Sequence, residues 1–211
     1  MSKQQQSETD RALVTRKVNG NPEGKGLSGL LVDWQRSEPG TIVAKPRHQV
    51  LAELFTSMLV LSATFRFRPA VGTPNFLYWT DGEWSLSLVS PDEWSAERRD
   101  GFVGTCLLQP DMTWTIAPSD RLADDTPVDK AVGRFYEAFA GSLDTDLTLE
   151  EILPFHAARL RYYPRLYASA LSRSVRASIT KAGETAVSSR EWFRQLPHQQ
   201  VLLADSPSRA K

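Results

Sequence analysis

Phe76-Leu77-Tyr78-Trp79-Thr80-Asp81-Gly82-Glu83-Trp84-Ser85-Leu86-Ser87-Leu88-Val89 is the stretch that decides the fold. An aromatic run, Phe76 to Trp79, and an alternating one, Trp84 to Leu88, flank Asp81-Gly82, which tolerates the positive φ of a tight turn, so the stretch reads as a β-hairpin. The spacing predicts strands over Phe76–Trp79 and Trp84–Val89. With a two-residue turn, Trp79 faces Trp84 and Leu77 faces Leu86. Side chains alternate across a strand, so Leu77, Trp79, Trp84, Leu86 and Leu88 form the core side. Phe76, Tyr78, Ser85, Ser87 and Val89 point the other way, a mixed surface of rings and hydroxyls.

Upstream the period is helical. Val50, Leu51, Leu54, Met58 and Leu61 recur at three-to-four-residue spacing, predicting a helix that opens at Pro46 and runs to about Ala63. Downstream, Ser90-Pro91-Asp92-Glu93 has the pattern of a capping box. A third strand is predicted over Phe102–Leu108 and a fourth over Thr113–Ile116, turning through Gln109–Met112. Four antiparallel strands between helices make an α+β fold. The remainder is helical. Thr126 or Asp125 caps a helix starting at Pro127 with the stripe Val128, Ala131, Val132, Phe135, Phe139, ending near Gly141. Thr148 and Glu151 form a second capping box. Pro164 opens a longer helix through Lys181, with Leu166, Ala170, Leu171 and Val175 on one face, and Trp192 and Phe193 anchor a short last helix. The domain reading is a flexible arm over residues 1–45, one α+β domain over 46–196 (helix plus sheet to 118, helical from 119), and a loose tail over 197–211. Within the arm, Leu27 to Trp34 is the one apolar patch.

The chain has 211 residues, 41% of them apolar, with 25 basic and 25 acidic side chains. This is globular composition, incompatible with collagen, a coiled coil or wholesale disorder. The longest apolar stretch, near Met58 to Ala63, falls far short of the roughly 20 residues of a membrane span, and Met1 to Asp10 holds no export core, so a soluble cytoplasmic protein is expected. The single cysteine, Cys106, excludes an intramolecular disulfide and a cysteine-rich metal cluster. Neutrality conceals an asymmetry. Residues 1–80 carry 10 basic and 6 acidic groups, 81–151 carry 5 and 16, and 152–211 carry 10 and 3. Either the acidic middle and basic end attract one another within the fold or across a dimer, or the basic end meets an anionic partner.

The run Phe76-Leu77-Tyr78-Trp79, Gly82, Ser85 to Val89, Ser90-Pro91-Asp92-Glu93-Trp94, Phe102-Val103-Gly104, then Leu108 with Asp111 and Trp114 resembles the family known as domain of unknown function 2452. The shared features are an aromatic strand, a serine-containing strand, a Ser-Pro-x-Glu-Trp signature and a spaced Asp-x-x-Trp ending. They cover residues 70–116, with Asn21-Pro22-Glu23-Gly24 as a weaker match. The family carries no established activity, cofactor or catalytic residues, so the resemblance implies a fold and no chemistry.

Chemical motifs fail on inspection. Gly24-Lys25-Gly26 lacks both the earlier glycine and the Ser or Thr of a phosphate loop, and Gly26-Leu27-Ser28-Gly29-Leu30 lacks the second glycine of a hydrolase elbow. His48, His156 and His198 stand apart, with no zinc spacing among them. Cys106 lies in an apolar strand, where a thiol is core filler. Glu150 and Glu151 diverge by about 100° on a helix and read as helix-start acids, as does the loop run Asp120, Asp124, Asp125, Asp129. No catalytic residue, metal site or cofactor is expected.

Two constellations survive. Phe76, Tyr78, Ser85 and Ser87 combine rings with hydroxyls and suit a flat ligand, unless flanking helices cover them. Arg159, Arg161, Tyr162, Tyr163, Arg165, Tyr167, Arg173, Arg176 and Lys181 interleave guanidinium groups with tyrosines, with no acid between Ile152 and Gly183. On a helix Arg165, Arg173 and Arg176 share one side, a pattern that suits phosphates and stacked bases. The sequence therefore predicts a non-enzymatic interaction module that binds a nucleic acid, a ribonucleoprotein or another protein through this basic aromatic face, with homodimerisation as a further possibility. The rival is an enzyme or small-ligand binder at the sheet face, for which Glu93, Asp111 and His156 are the titratable groups within reach.

Overall fold

The structure, a computed structural model, describes residues 27–122, 126–153, 160–198 and 203. It forms two compact units, residues 1–36 and 37–211. In the first, Leu27–Arg36 is a ten-residue helix, α1. The apolar patch of the arm is thus helical.

The second unit is built around α2, Arg47–Leu61. Val50, Leu51, Leu54, Phe55, Leu59 and Val60 are all at most 3% exposed. These positions go right round the helix, and a helix apolar on every side must be buried on every side. Pro46 lies just outside it in extended conformation rather than in its first turn. On one flank, Phe55 packs its ring against Phe135 and Phe139 at 5.7 and 5.4 Å, both from α4, Pro127–Leu143. Thr126 caps α4 by accepting from the Asp129 amide at 3.0 Å, and the helix continues through Gly141 to Leu143. A second flank meets α6, Tyr162–Ala182, which begins two residues before Pro164 and ends at Gly183 in the left-handed region, φ 73°. The capping box Thr148–Glu151 starts α5, Leu149–Ile152. The short helix predicted at Trp192 and Phe193 is α7, Ser189–Phe193, with Trp192 1% exposed.

The third flank of α2 meets a four-stranded antiparallel sheet in the order β2-β1-β3-β4. Its strands are β1 Pro74–Thr80, β2 Glu83–Ser87, β3 Phe102–Leu108 and β4 Trp114–Pro118. Asp81 and Gly82 adopt φ 53° and 79°, and the pairs Trp79–Trp84 and Leu77–Leu86 form as predicted. Leu77, Leu86, Cys106, Leu108, Trp114 and Ile116 make the core face. At its open end the hairpin departs from the predicted core side. Because β2 stops at Ser87, Leu88 is 57% exposed. At the turn end Trp79 and Trp84 are half-buried against the core, as predicted, and pack on each other at 4.6 Å. Between β2 and β3 lies α3, Ala96–Asp100, which the hydrophobic periodicity does not reveal because none of its residues is buried.

Strand β4 is a sheet edge, and an edge leaves unpaired backbone groups. At Trp114 α2 satisfies them. Thr56 Oγ1 donates to the Trp114 carbonyl at 2.6 Å, and the Trp114 amide donates to Ser57 Oγ at 2.8 Å. Replacing Thr56 with valine keeps the shape and strands that carbonyl, so Thr56→Val is expected to cost about 1–3 kcal/mol. Urea unfolding measures the loss, with Ser62→Ala at the exposed helix end shifting stability by no more than about 0.5 kcal/mol.

Candidate functional site

The aromatic sheet face is covered, and by its own connection rather than by helices. Tyr78 is fully buried; its hydroxyl donates to the Val89 carbonyl at 3.0 Å. Its ring packs on Phe102 at 5.5 Å and edge-on to Trp94 at 6.5 Å, and burial pushes its phenol up to about 12. Phe76 leans on Phe102 at 6.3 Å. The Ser87 hydroxyl accepts from the Val89 amide at 3.0 Å, and the Ser85 hydroxyl is buried. Ser90 anchors this cover, its amide donating to Glu93 at 3.2 Å. Of the four candidate residues of this face, Tyr78 is buried and Phe76, Ser85 and Ser87 are half-buried.

The basic stretch is dispersed in the same way. Tyr162, Tyr163 and Tyr167 are 7%, 8% and 4% exposed, and the Tyr167 hydroxyl donates to the Pro69 carbonyl at 2.8 Å. Arg173 donates to the Ser37 carbonyl at 3.1 Å. Arg176 donates to the carbonyls of Glu150 and Leu153 at 3.1 and 2.7 Å, satisfying the open end of α5. Lys181 donates to the Ile42 carbonyl at 2.5 Å. Arg159 and His156 lie outside the described residues. Arg161 and Arg165 stay exposed, one turn apart at the start of α6. The charge asymmetry is met partly inside the fold, where Arg190 pairs with Asp144 and Asp146 at 3.0 and 2.5 Å.

What the fold opens instead is a cleft of about 460 Å³, walled by the end of β1, by α3 and by the first turn of α4. Trp79 forms one side. Asp81, Glu97 and Asp100 bring three carboxylates to it, and Arg98 one guanidinium. Arg98 stacks over Trp94 at 4.0 Å. Its back wall depends on Gly101, whose carbonyl accepts from the Trp79 amide at 2.8 Å. A Cβ there would stand 2.3 Å from the Trp79 carbonyl oxygen, so only glycine lets α3 come this close to β1. Arg134 of α4 already lays its guanidinium 5.9 Å from the Trp79 ring centroid. Sequence reading missed the cleft because its walls come from three elements, one of them the unpredicted α3.

A second charged cluster is buried. Lys45 Nζ lies 2.5 Å from Glu53 of α2 and 2.5 Å from Asp111 in the β3–β4 turn, and all three side chains are at most 14% exposed. Gln49 donates to the second Glu53 oxygen at 2.9 Å, and Thr113 to the second Asp111 oxygen through its amide and hydroxyl. Burial raises the Glu53 carboxyl above its ordinary value. Burial works the same way on Asp111, but hydrogen bonds from Lys45 and Thr113 outweigh it and hold that carboxyl low. On Lys45, burial opposes the charge, and the hydrogen bonds to Asp111 and Glu53 prevail and raise it. Asp111 is thus committed to structure, while Glu93 is committed to capping. Cys106 is fully buried, and burial pushes its thiol far up, which denies it a thiolate. Among the described residues no His, Cys, Asp and Glu cluster is arranged to hold a metal ion, and no helix is long and apolar enough to cross a membrane.

Residues 43–130 match the family described as a protein of unknown function, DUF2452, the family the motifs resemble. No curated protein and no solved structure matches the chain. The matched segment contains Lys45, Glu53, Asp111 and every residue lining the cleft, and it stops short of Arg161 and Arg165.

Removing Lys45 leaves two carboxylates facing one another out of water. Lys45→Met is expected to cost about 3–5 kcal/mol at neutral pH. The sign of its pH dependence follows. Without the cation both folded-state carboxyls titrate above their unfolded values, so the variant regains stability as pH falls through the carboxylate range. In the parent the two carboxyls oppose one another, the raised Glu53 gaining stability and the lowered Asp111 losing it on the same descent, so its slope is shallower than the variant's. Denaturant titrations from pH 7 to pH 4 distinguish the two slopes.

Proposed function

We propose that this chain is a non-enzymatic interaction module, and that it holds its partner by a cationic group, a lysine or arginine side chain of another protein, seated in the Trp79 cleft. The observation that carries this reading is the company the ring keeps: three carboxylates and the Arg98 guanidinium line a cleft of about 460 Å³ around a part-exposed indole, and the Arg134 guanidinium lies near the same ring. That volume lies in the range of small-ligand sites. An indole face attracts a guanidinium or ammonium by about 0.5–2 kcal/mol, and Arg134 shows that the ring accepts such a group from within the chain. The non-enzymatic part of the reading is supported by where the reactive groups are spent: Cys106 in the core, Asp111 and Glu53 on Lys45, and Glu93 on Ser90.

The probe is N-acetyl-arginine methylamide, with the citrulline analogue as its uncharged counterpart, followed by NMR at the Trp79 indole. The arginine probe is expected to bind at least about tenfold more tightly, matching about 1.4 kcal/mol of charge recognition. Trp79→Ala and the pair Glu97→Gln with Asp100→Asn each erase the difference. Equal binding of the two probes, or none, overturns the reading.

A second reading rests on Arg161 and Arg165, which remain exposed on an acid-free stretch of chain. A nucleic acid partner would meet them through its phosphates, without base stacking, since the neighbouring tyrosines are buried. Such binding is weak and sequence-independent. Two phosphate contacts give a log–log salt slope near −1.8 on duplex DNA, and each arginine replaced by alanine removes about 1 from it. A slope unaltered by Arg161→Ala and Arg165→Ala disposes of this reading.

A further inference from the structure

Helices α2, α4 and α6 enclose a second opening, an apolar pocket of about 140 Å³ that shares no residue with the Trp79 cleft. Met58 and Leu61 of α2, Phe135 of α4, Leu153 at the end of α5 and Leu171 of α6 wall it. Its floor comes from spacing on α6. Ala168 and Ser172 stand four residues apart and share one face of that helix. Both are small and at most 7% exposed, so α6 leaves room there that a leucine at either position would fill. Ser62 is the exposed member of the lining and marks the mouth. Among the described residues no charged side chain lines the pocket. The hydroxyls of its two serines are already spent: Ser62 Oγ donates to the Leu59 carbonyl at 2.7 Å, and Ser172 Oγ to the Ala168 carbonyl at 3.0 Å. A ligand without hydrogen-bonding groups therefore strands no donor when it displaces water from them.

We propose that this pocket binds a small neutral aromatic molecule, a single ring of about six heavy atoms. Three observations set that class. Volume sets the size, since an apolar cavity of about 150 Å³ accommodates one benzene. The lining sets the charge: an ion would surrender its hydration to side chains that return nothing, and burying an unpaired charge costs far more than a few apolar contacts repay. Met58 and Phe135 set the preference for a ring. A thioether sulfur packs favourably against a ring edge, and a second aromatic ring does so edge-on or offset. This site is independent of the cation reading of the Trp79 cleft, and either stands without the other.

Benzene titrated into the full chain, followed by NMR of the methionine methyl groups, tests this. Met58 lines the pocket, whereas Met112 is buried in the β3–β4 turn. The Met58 methyl is expected to shift saturably with a dissociation constant of about 0.1–1 mM, well inside the ceiling for a six-atom ligand, while the Met112 methyl stays in place. Benzoate, the same ring carrying a charge, binds at least about tenfold more weakly. Ala168→Leu fills the floor and lowers the affinity for benzene at least about tenfold, because a buried apolar side chain then occupies the ligand's volume. Ser62→Leu does the same from the mouth, at an exposed position where the substitution leaves the core packing intact. No saturable shift at Met58, benzoate binding as tightly as benzene, or benzene binding unchanged in either folded variant overturns the proposal.

Discussion

Helix α2 is the constraint from which the second unit follows. With Leu51, Leu54, Phe55 and Leu59 all fully buried, it has no side to give to water, and each such side chain contributes roughly 1.5–3 kcal/mol by leaving it. It therefore has to be surrounded, by the sheet, by α4 and by α6. Apolar burial alone would let a helix slide. The hydroxyls of Thr56 and Ser57 bond both backbone groups of Trp114, and Glu53 reaches Lys45, so α2 is also fixed in register against the edge strand and the chain segment ahead of it.

The cleft inherits its geometry from this arrangement. Its two far walls, Trp79 on β1 and Val128 on α4, belong to elements that meet through α2: β1 through the sheet, α4 through Phe135 and Phe139 against Phe55. Gly101 closes the third wall on the backbone of Trp79. A binding surface assembled on three elements is rigid to the extent that the helix between them is, and this preformed state lowers the ordering cost of association.

Local signals along the chain account well for the fold and poorly for the site, for a physical reason. Asp81-Gly82 determines the hairpin register by itself, because both residues must take positive φ. Thr126, Thr148 and Ser90 announce helix starts through bonds that span three residues. The basic stretch near Arg165 was legible as composition but not as surface. Spacing along a helix says which residues share a side, whereas Arg173, Arg176 and Lys181 are drawn to carbonyls of residues 37, 150, 153 and 42, partners far away in the chain. Tyr78 shows the same limit: alternation put it opposite Leu77, and the burial of both faces came from the segment around Trp94 folding back. Lys45, Glu53 and Asp111 carry no motif at all, and only the fold brings them together.

Native-state hydrogen exchange on α2 tests the account most directly. If this helix holds the unit together, the amides of Leu54 to Leu59 exchange only by global unfolding, as slowly as the slowest amides of β1 and β3 and with the same denaturant dependence. Exchange of α2 through a smaller opening, while the sheet stays protected, would contradict it.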